Sequence, residues 1–407
     1  RIAGILDIQS TASWLILIGV SLNAAIPPLS AWLSDSYPKA SITGAIFLSA
    51  LTTKSAVYVL IRLFAGWDIL IYAGVVMALY GVLYAVLAND IREILAYHII
   101  SQVGYMVVGV GIGTELALNG TTAHAFSHIL YKALLFMGAG TLVYSTGSSK
   151  LTELGGLASS LRIVLMLYMV GAFSISGFPL FNGFISKSMV VSAAGEVHLE
   201  VVVLLLHLAS VGTFLSIGLK LPYFAWFSKG QGVCKRKPPI NMLIGMGLLS
   251  AFCLIFGITP RFLYEYLPFN AVYDPFTVHH FIEITQLIIF TFIGFWLLRY
   301  RLKSGPAISL DTDWIYRYPK RYVKLIVIDS VNKLFDEAEN KLLSFSNSVA
   351  VYSRNPGAWI RSVFLYKIKK QTILNFDPDE SRVGIFYTIS SILLFFIFFL
   401  FIWLITK

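Results

Sequence analysis

Long apolar runs follow one another along most of the chain, joined by short polar connections. A helix of about 20 mostly apolar residues crosses the hydrocarbon of a bilayer. Candidate runs lie near 12–33, 43–64, 68–88, 97–114, 121–145, 161–196, 200–228, 240–258, 281–300 and 384–405. Two of them carry breakers at depth: Pro27 and Pro28 in NAAIPPLSAWLSD, and Gly177, Pro179 and Gly183 in SISGFPLFNGFISK. Alternation of period two is sustained nowhere, so the pattern predicts an all-α polytopic membrane bundle with two broken helices. Such paired breaks suit an internally repeated transporter with unwound backbone near an ion path; simple proline kinks are the plainer alternative.

The pattern changes after residue 300. Residues 301–383 mix charges of both signs, while Ile326, Val327, Val331, Leu334, Phe335 and Leu342 recur at helical spacing. That predicts an amphipathic helix on the membrane surface or along a partner subunit, with an ordinary solvated helix as the alternative. Residues 1–300 are thus expected to form the transmembrane body, 301–383 a cytoplasmic or interfacial extension, and 384–407 a C-terminal anchor.

The chain is 57% hydrophobic and 13% charged, more apolar surface than a soluble domain hides, so lipid is expected as its main solvent. A net charge of +10 could otherwise suggest nucleic acid. The basic residues instead gather in alternate connections, at Lys39, Arg92, Lys150, Arg162, Lys229, Lys235, Arg236 and Lys237. By the positive-inside rule, loops 34–42, 89–96, 146–160, 229–239 and 301–383 are expected to be cytoplasmic, and no nucleic-acid partner is expected. Cys234 and Cys253 stand apart, with no CxxC and no Cys/His cluster, which argues against a disulfide framework, zinc or an iron–sulfur centre. GxxxxGK[ST] and a strand-borne GxGxxG are both absent. No cofactor, metal or catalytic residue is expected, and the chain reads as part of a transporter rather than as an enzyme.

Ionisable residues inside apolar spans are expensive and mark functional sites by default. His124, His128 and Lys132 recur every four residues in TTAHAFSHILYKALLFMGAGTLVY; at 3.6 residues per turn they share one face of a helix. Lys54 and Lys187 lie deep in their own spans, and Lys220 lies near a loop, where snorkelling to the headgroups is an alternative. His98 and His207 read as hydrogen-bonded packing residues. Imidazole titrates near neutrality and passes protons between its nitrogens, and burial disfavours the charged form of an amine. A row of such groups suits proton transfer better than recognition of a solute.

HAFSHILYKALLFMGAG, NDIREILAYHIISQVGYM and GFPLFNGFISKSM, in that arrangement, resemble the antiporter-like subunits shared by respiratory complex I, membrane-bound hydrogenases and Mrp-type cation/proton antiporters. GTFLSIGLKLPYFAWF followed by LDTDWIYRYPKR is most similar to the D-type pattern among the Mrp subunits. The resemblance covers roughly residues 12–325. It implies about fourteen helices with two inverted five-helix repeats, each holding a broken helix and half a proton channel. It also implies that Lys187 is a terminal proton site, that His124, His128 and Lys132 form the central relay, and that Lys54 links the half-channels. Lys220 matches a lysine of the D-type pattern. Where the family has a lysine five residues before the proline of the first broken helix, this chain has Asn23. The family's earliest helices have no counterpart after Arg1, so the sequence is expected to lack them.

The resemblance implies a proton-translocating subunit of a multisubunit sodium/proton antiporter in a prokaryotic cytoplasmic membrane. Its expected partners are other subunits, including a second antiporter-like subunit, together with protons, a monovalent cation and lipid. Protons would pass His128, His124 and Lys132 and leave through Lys187. The alternatives are a pumping subunit of a complex I-like oxidoreductase or hydrogenase, and a scaffold with a degenerate channel.

Overall fold

The computed structural model describes residues 4–230, 232–270, 273–303, 324–353 and 384–405, with isolated positions between the last three segments. The chain divides into two units, residues 1–317 and 318–407. Among the described residues, eight helices are long and apolar enough to cross a membrane. The β structure there is one isolated bridge, between Asp90 and Lys150.

In the first unit, α1 (Thr11–Ala24) and α2 (Ala31–Ser36) flank the first break. Then come α3 (Ile42–Phe64), α4 (Ile69–Leu87), α5 (Ile91–Ile112) and α6 (Glu115–Thr146). The second break separates α7 (Arg162–Ser176) from α8 (Asn182–Glu196). Next, α9 (Glu200–Thr213) runs on into wider π-helical turns at Phe214–Lys220 and Tyr223–Phe227. The unit continues through α10 (Ile240–Ile258), the short α11 (Arg261–Tyr264) and α12 (Val278–Leu298). Both predicted breaks are therefore present.

Two boundaries differ from the sequence expectation. Helix α5 starts at Ile91, not near 97, so most of the expected loop 89–96 is helical. The Asp90 carboxylate caps its start, accepting from the backbone N–H groups of Arg92 and Glu93 at 2.8 and 3.2 Å. Arg92 turns its guanidinium onto the carbonyls of Tyr37, Ala40 and Ser41 at 3.3, 2.6 and 3.2 Å. Tertiary partners thus absorb charges that hydropathy alone assigns to a loop. Helix α6 starts six residues earlier than its apolar run, capped by the Thr114 hydroxyl, which accepts from the Ala117 N–H at 3.3 Å.

Helix α5 is the axis of the unit, with its whole apolar window buried. It can lie so deep because its contact with α4 is made backbone to backbone. A Cβ on Gly104 would stand 2.6 Å from both Ala78 N and Gly74 O, closer than any side chain tolerates, and small residues of this kind let membrane helices approach. The basic connections meet at one end of the bundle. Ile91 N–H donates to Ser149 O at 2.8 Å, Lys235 N–H to Ser145 O at 2.7 Å, and Ala158 N–H to Trp226 O at 3.1 Å.

The second unit holds α13 (Asp329–Ser353), entered through π-helical turns at Lys324–Ile328, and α14 (Ile385–Ile405). Val331, Leu334, Phe335 and Leu342 of α13 are exposed. Most of 354–383 lies outside the described residues.

Candidate functional site

The second break is closed by hydrogen bonds around a glycine turn. Helix α7 ends with Gly177 in the left-handed region at φ 76°, where a residue lacking Cβ is unstrained. Gly177 N–H donates to Ser174 O at 3.1 Å and Phe178 N–H to Phe173 O at 3.0 Å, a Schellman-type closure. The chain then turns back so tightly that a Cβ on Gly183 would lie 1.7 Å from Ser174 O. One turn into α8, Lys187 reaches back, and its Nζ donates to Ile175 O at 2.8 Å. The ammonium thereby caps the carbonyl end of α7, where the helix dipole is negative. Its other face rests on the Tyr105 ring, 4.9 Å from the centroid.

The first break repeats this closure. Ala25 takes φ 60°, Ala25 N–H donates to Leu22 O at 3.2 Å, and Ile26 N–H to Ser21 O at 3.0 Å. Here the donor that reaches back is neutral: the Trp32 indole N–H meets Leu22 O at 2.8 Å. Asn23 is exposed on α1 and takes no place in the buried polar row.

The row itself runs along α6. His124, His128 and Lys132 are fully buried. His124 Nδ1 pairs with the Ser186 hydroxyl at 3.0 Å, beside Lys187 on α8. Its Nε2 faces the Tyr131 hydroxyl at 3.4 Å, and Tyr131 in turn donates to Gln102 at 3.4 Å. The two histidine rings lie 6.3 Å apart, with Tyr131 5.2 Å from His128. Neither ring nitrogen of His128 has a hydrogen-bond partner among the described residues, and the Ser101, Ser127 and Ser174 hydroxyls share that condition. Lys132 Nζ donates to Leu95 O at 2.7 Å. Since α6 ends at the basic connections, the geometric order from that end is Lys132, His128, His124, Ser186 and Lys187. The sequence reading placed Lys132 after the histidines; the helix direction places it before them.

Lys54 is buried on α3, which packs against α6; its Nζ donates to Ser49 O at 2.5 Å and faces the Thr53 hydroxyl at 3.3 Å, both within α3. Lys220 does not snorkel. It is 1% exposed, and its Nζ donates to Val86 O and Ala88 O at 2.5 and 3.2 Å, capping the C-terminal end of α4. His98 is fully buried, with Nε2 paired to the Ser216 hydroxyl and Nδ1 without a hydrogen-bond partner among the described residues. Among the described residues, no carboxylate lies within ion-pair distance of Lys54, Lys132, Lys187 or Lys220.

Two features escaped the sequence reading. At the end of the bundle remote from the basic connections, His207 Nε2 on α9 stands 3.0 Å from Glu283 Oε1 on α12; His207 therefore faces a carboxylate from another helix. Both line a cavity of about 30 Å³ with Lys187, Tyr105, Ser188 and His280, enough for at least one water. At the other end, the Asp311 carboxylate accepts hydrogen bonds from Tyr97 at 2.7 Å, Ser34 at 3.1 Å and Tyr80. These partners lie more than 200 positions away, and a charge run in a hydrophilic segment reads as solvated.

Residues 7–216 match the family described as "NADH:quinone oxidoreductase/Mrp antiporter, TM". The D-type Na(+)/H(+) antiporter subunit of Alkalihalophilus pseudofirmus is 38% identical over 192 residues, covering 44% of this chain and 38% of that protein. A chain in the structure of the Mrp complex from Dietzia aligns with TM-score 0.56 and 25% identity, over 70% of this chain and 60% of that one. One in the membrane-bound sulfane sulfur reductase, an archaeal respiratory membrane complex, aligns with TM-score 0.59 over 87% of this chain and 67% of that one; at 23% identity it speaks for the fold alone. The chain spans about half the length, or less, of the curated relatives it matches.

Proposed function

The chain belongs to the NADH:quinone oxidoreductase/Mrp antiporter transmembrane family, and from that premise we propose that this antiporter-like, multi-pass membrane protein carries protons in a multisubunit monovalent cation/proton antiporter. The observation that carries the reading is the buried basic row from Lys132 through His128 and His124 to Ser186 and Lys187, in which, among the described residues, neither lysine has a carboxylate within ion-pair distance. A proton arriving on one member repels the proton on the next, so transfer proceeds stepwise instead of stalling in an ion pair. Water completes the chain at His128 and the neighbouring serines, since buried polar atoms are rarely left unpaired. Lys54 feeds the row from α3, and the cavity beside Lys187 leads toward Glu283 and His207. In this reading the basic end faces the cytoplasm of a prokaryotic cell, and sodium is the exchanged cation, as the name of the similar Alkalihalophilus protein states for that protein.

A second reading has the same relay serving a redox-driven pump. It is favoured by the family's description, which joins quinone oxidoreductases to Mrp antiporters. A preset pH gradient in everted membrane vesicles separates the two. Sodium alone collapses it if the antiporter reading holds, and Lys187→Ala abolishes the collapse while the complex still assembles. If the gradient responds only to an electron donor, the chain belongs to a redox pump. If Lys187→Ala behaves as wild type, the relay is wrong. The scaffold reading, to which exposed Asn23 lends its support, requires that last outcome.

A further inference from the structure

The remote end of the Lys187 cavity carries, beside Glu283 and His207, two further histidines that the proton route does not use. His279 and His280 lie in the first turn of α12, and Glu283 follows one turn later. The ligating atoms of these three residues lie within 4.8 Å of one another. Spacings of three and four residues bring both histidines to the same side of the helix as the carboxylate. From the facing helix α9, His207 Nε2 approaches Glu283 Oε1 to 3.0 Å, yet without hydrogen-bond alignment. His280 is held by its surroundings: Nδ1 faces Pro275 O at 3.4 Å, and Nε2 faces the Ser192 hydroxyl at 3.3 Å. A carbonyl opposite Nδ1 sets the tautomer in which Nε2 can ligate once it gives up the Ser192 hydroxyl.

We propose that His279, His280 and Glu283, with His207 as fourth donor, form a Zn2+ site over the outer end of the Lys187 cavity, and that filling it arrests ion exchange. Three imidazoles and one carboxylate are the donor types that zinc takes in tetrahedral sites, with bonds of about 2.0–2.2 Å. Donors bonded at that length stand about 3.3 Å apart in a tetrahedron, so modest rotamer changes draw His279, His280 and Glu283 onto a metal, while His207, close to Glu283 alone at 3.0 Å, must swing further to complete it. Sodium or magnesium, which seek oxygen, find only one carboxylate here. His279 is exposed, while His280 and Glu283 are half-buried, so the site opens outward and still borders the cavity shared by His207, His280, Glu283 and Lys187. A bound dication there withdraws Glu283 from any proton leaving Lys187 and repels that proton directly. The arrest rests on the proton-relay reading; the metal site does not.

The test takes the full chain, purified with the subunits that accompany it, and titrates ZnCl2 against a competing chelator dye. Wild type, Glu283→Gln and the exposed-site variant His279→Ala are compared after size-exclusion chromatography confirms assembly. The expected result is one Zn2+ per chain in wild type and binding weakened at least about tenfold in each variant. Co2+ in place of Zn2+ should give the visible spectrum of a four-coordinate site, and His279→Ala should lose it. Equal binding by wild type and His279→Ala, or no stoichiometric binding, overturns the site. Exchange in vesicles is then read with and without ZnCl2, each variant against its own zinc-free rate. Inhibition in wild type that His279→Ala relieves supports the arrest; exchange that zinc leaves untouched in wild type overturns it. Absence of exchange before zinc is added counts against the antiporter reading instead, and the binding result stands by itself.

Discussion

Lys187 Nζ and Ile175 O meet at 2.8 Å across the second break, so the side chain proposed to hold a transferable proton also closes the end of the helix half it faces. The two roles come apart by substitution. Lys187→Gln retains an N–H donor toward the carbonyl but cannot carry a proton, whereas Lys187→Ala leaves Ile175 O without that partner. A buried carbonyl so stranded costs about 1–3 kcal/mol. The expected outcome is loss of proton-coupled exchange in both variants, with thermal stability of the assembled protein lowered only in Lys187→Ala. Exchange surviving in Lys187→Gln would show that the residue is a cap and nothing more.

Gly183 sets how closely α8 folds back on α7. A methyl group there would stand 1.7 Å from Ser174 O, which no rotamer change relieves because the neighbour is backbone. Gly183→Ala is expected to push the two half-helices apart and to lower stability by about 1–3 kcal/mol or more. Scanning fluorimetry of the purified protein checks this. A melting temperature equal to wild type would mean that the break is looser than described.

Asp311 gathers hydroxyls from three helices, Ser34 of α2, Tyr80 of α4 and Tyr97 of α5. Asp311→Ala removes the shared acceptor, leaving Ser34 its bond to Ala31 O and Tyr80 its contact with the Thr312 hydroxyl, so a loss of about 1.5–3 kcal/mol is expected from charged hydrogen bonds of this kind. Asp311→Asn keeps one acceptor oxygen and should lie between alanine and wild type. Limited proteolysis of the segment between α12 and α13 provides the readout, with cleavage fastest in Asp311→Ala. Identical cleavage in all three proteins would place Asp311 off its hydroxyl partners in solution.

Ser186 connects the histidine row to the lysine helix through its 3.0 Å contact with His124 Nδ1. Ser186→Ala keeps the fold, since its volume is smaller and its backbone unstrained, but it interrupts the chain of hydrogen bonds. Exchange slowed several-fold with assembly unchanged is expected in the vesicle assay. An unchanged rate would route protons past His124 by another path.

The spans and the two breaks were legible in the sequence, because a helix in lipid must satisfy its own backbone and bear apolar side chains along its length. His124, His128 and Lys132 declared themselves for the same reason: three titratable groups on one helical face have a cost in lipid that only an interior location removes. Local sequence determines that periodicity, and the structure places all three inside. What it could not contain is the identity of partners drawn from other helices. The burial of Arg92 depends on carbonyls around Ala40, and the placement of Lys220 depends on the end of α4. The pairing of His207 with Glu283 joins α9 to α12, and Asp311 is held by hydroxyls from the first third of the chain. Judged by neighbours in sequence, Arg92 looked like a loop charge, Lys220 could be a snorkelling amine and His207 a packing histidine, while Glu283 and Asp311 did not stand out. Tertiary structure decided otherwise, since a polar group in a low-dielectric interior takes its character from what lies within about 3 Å, and chain order says little about that when helices cross the same membrane many times.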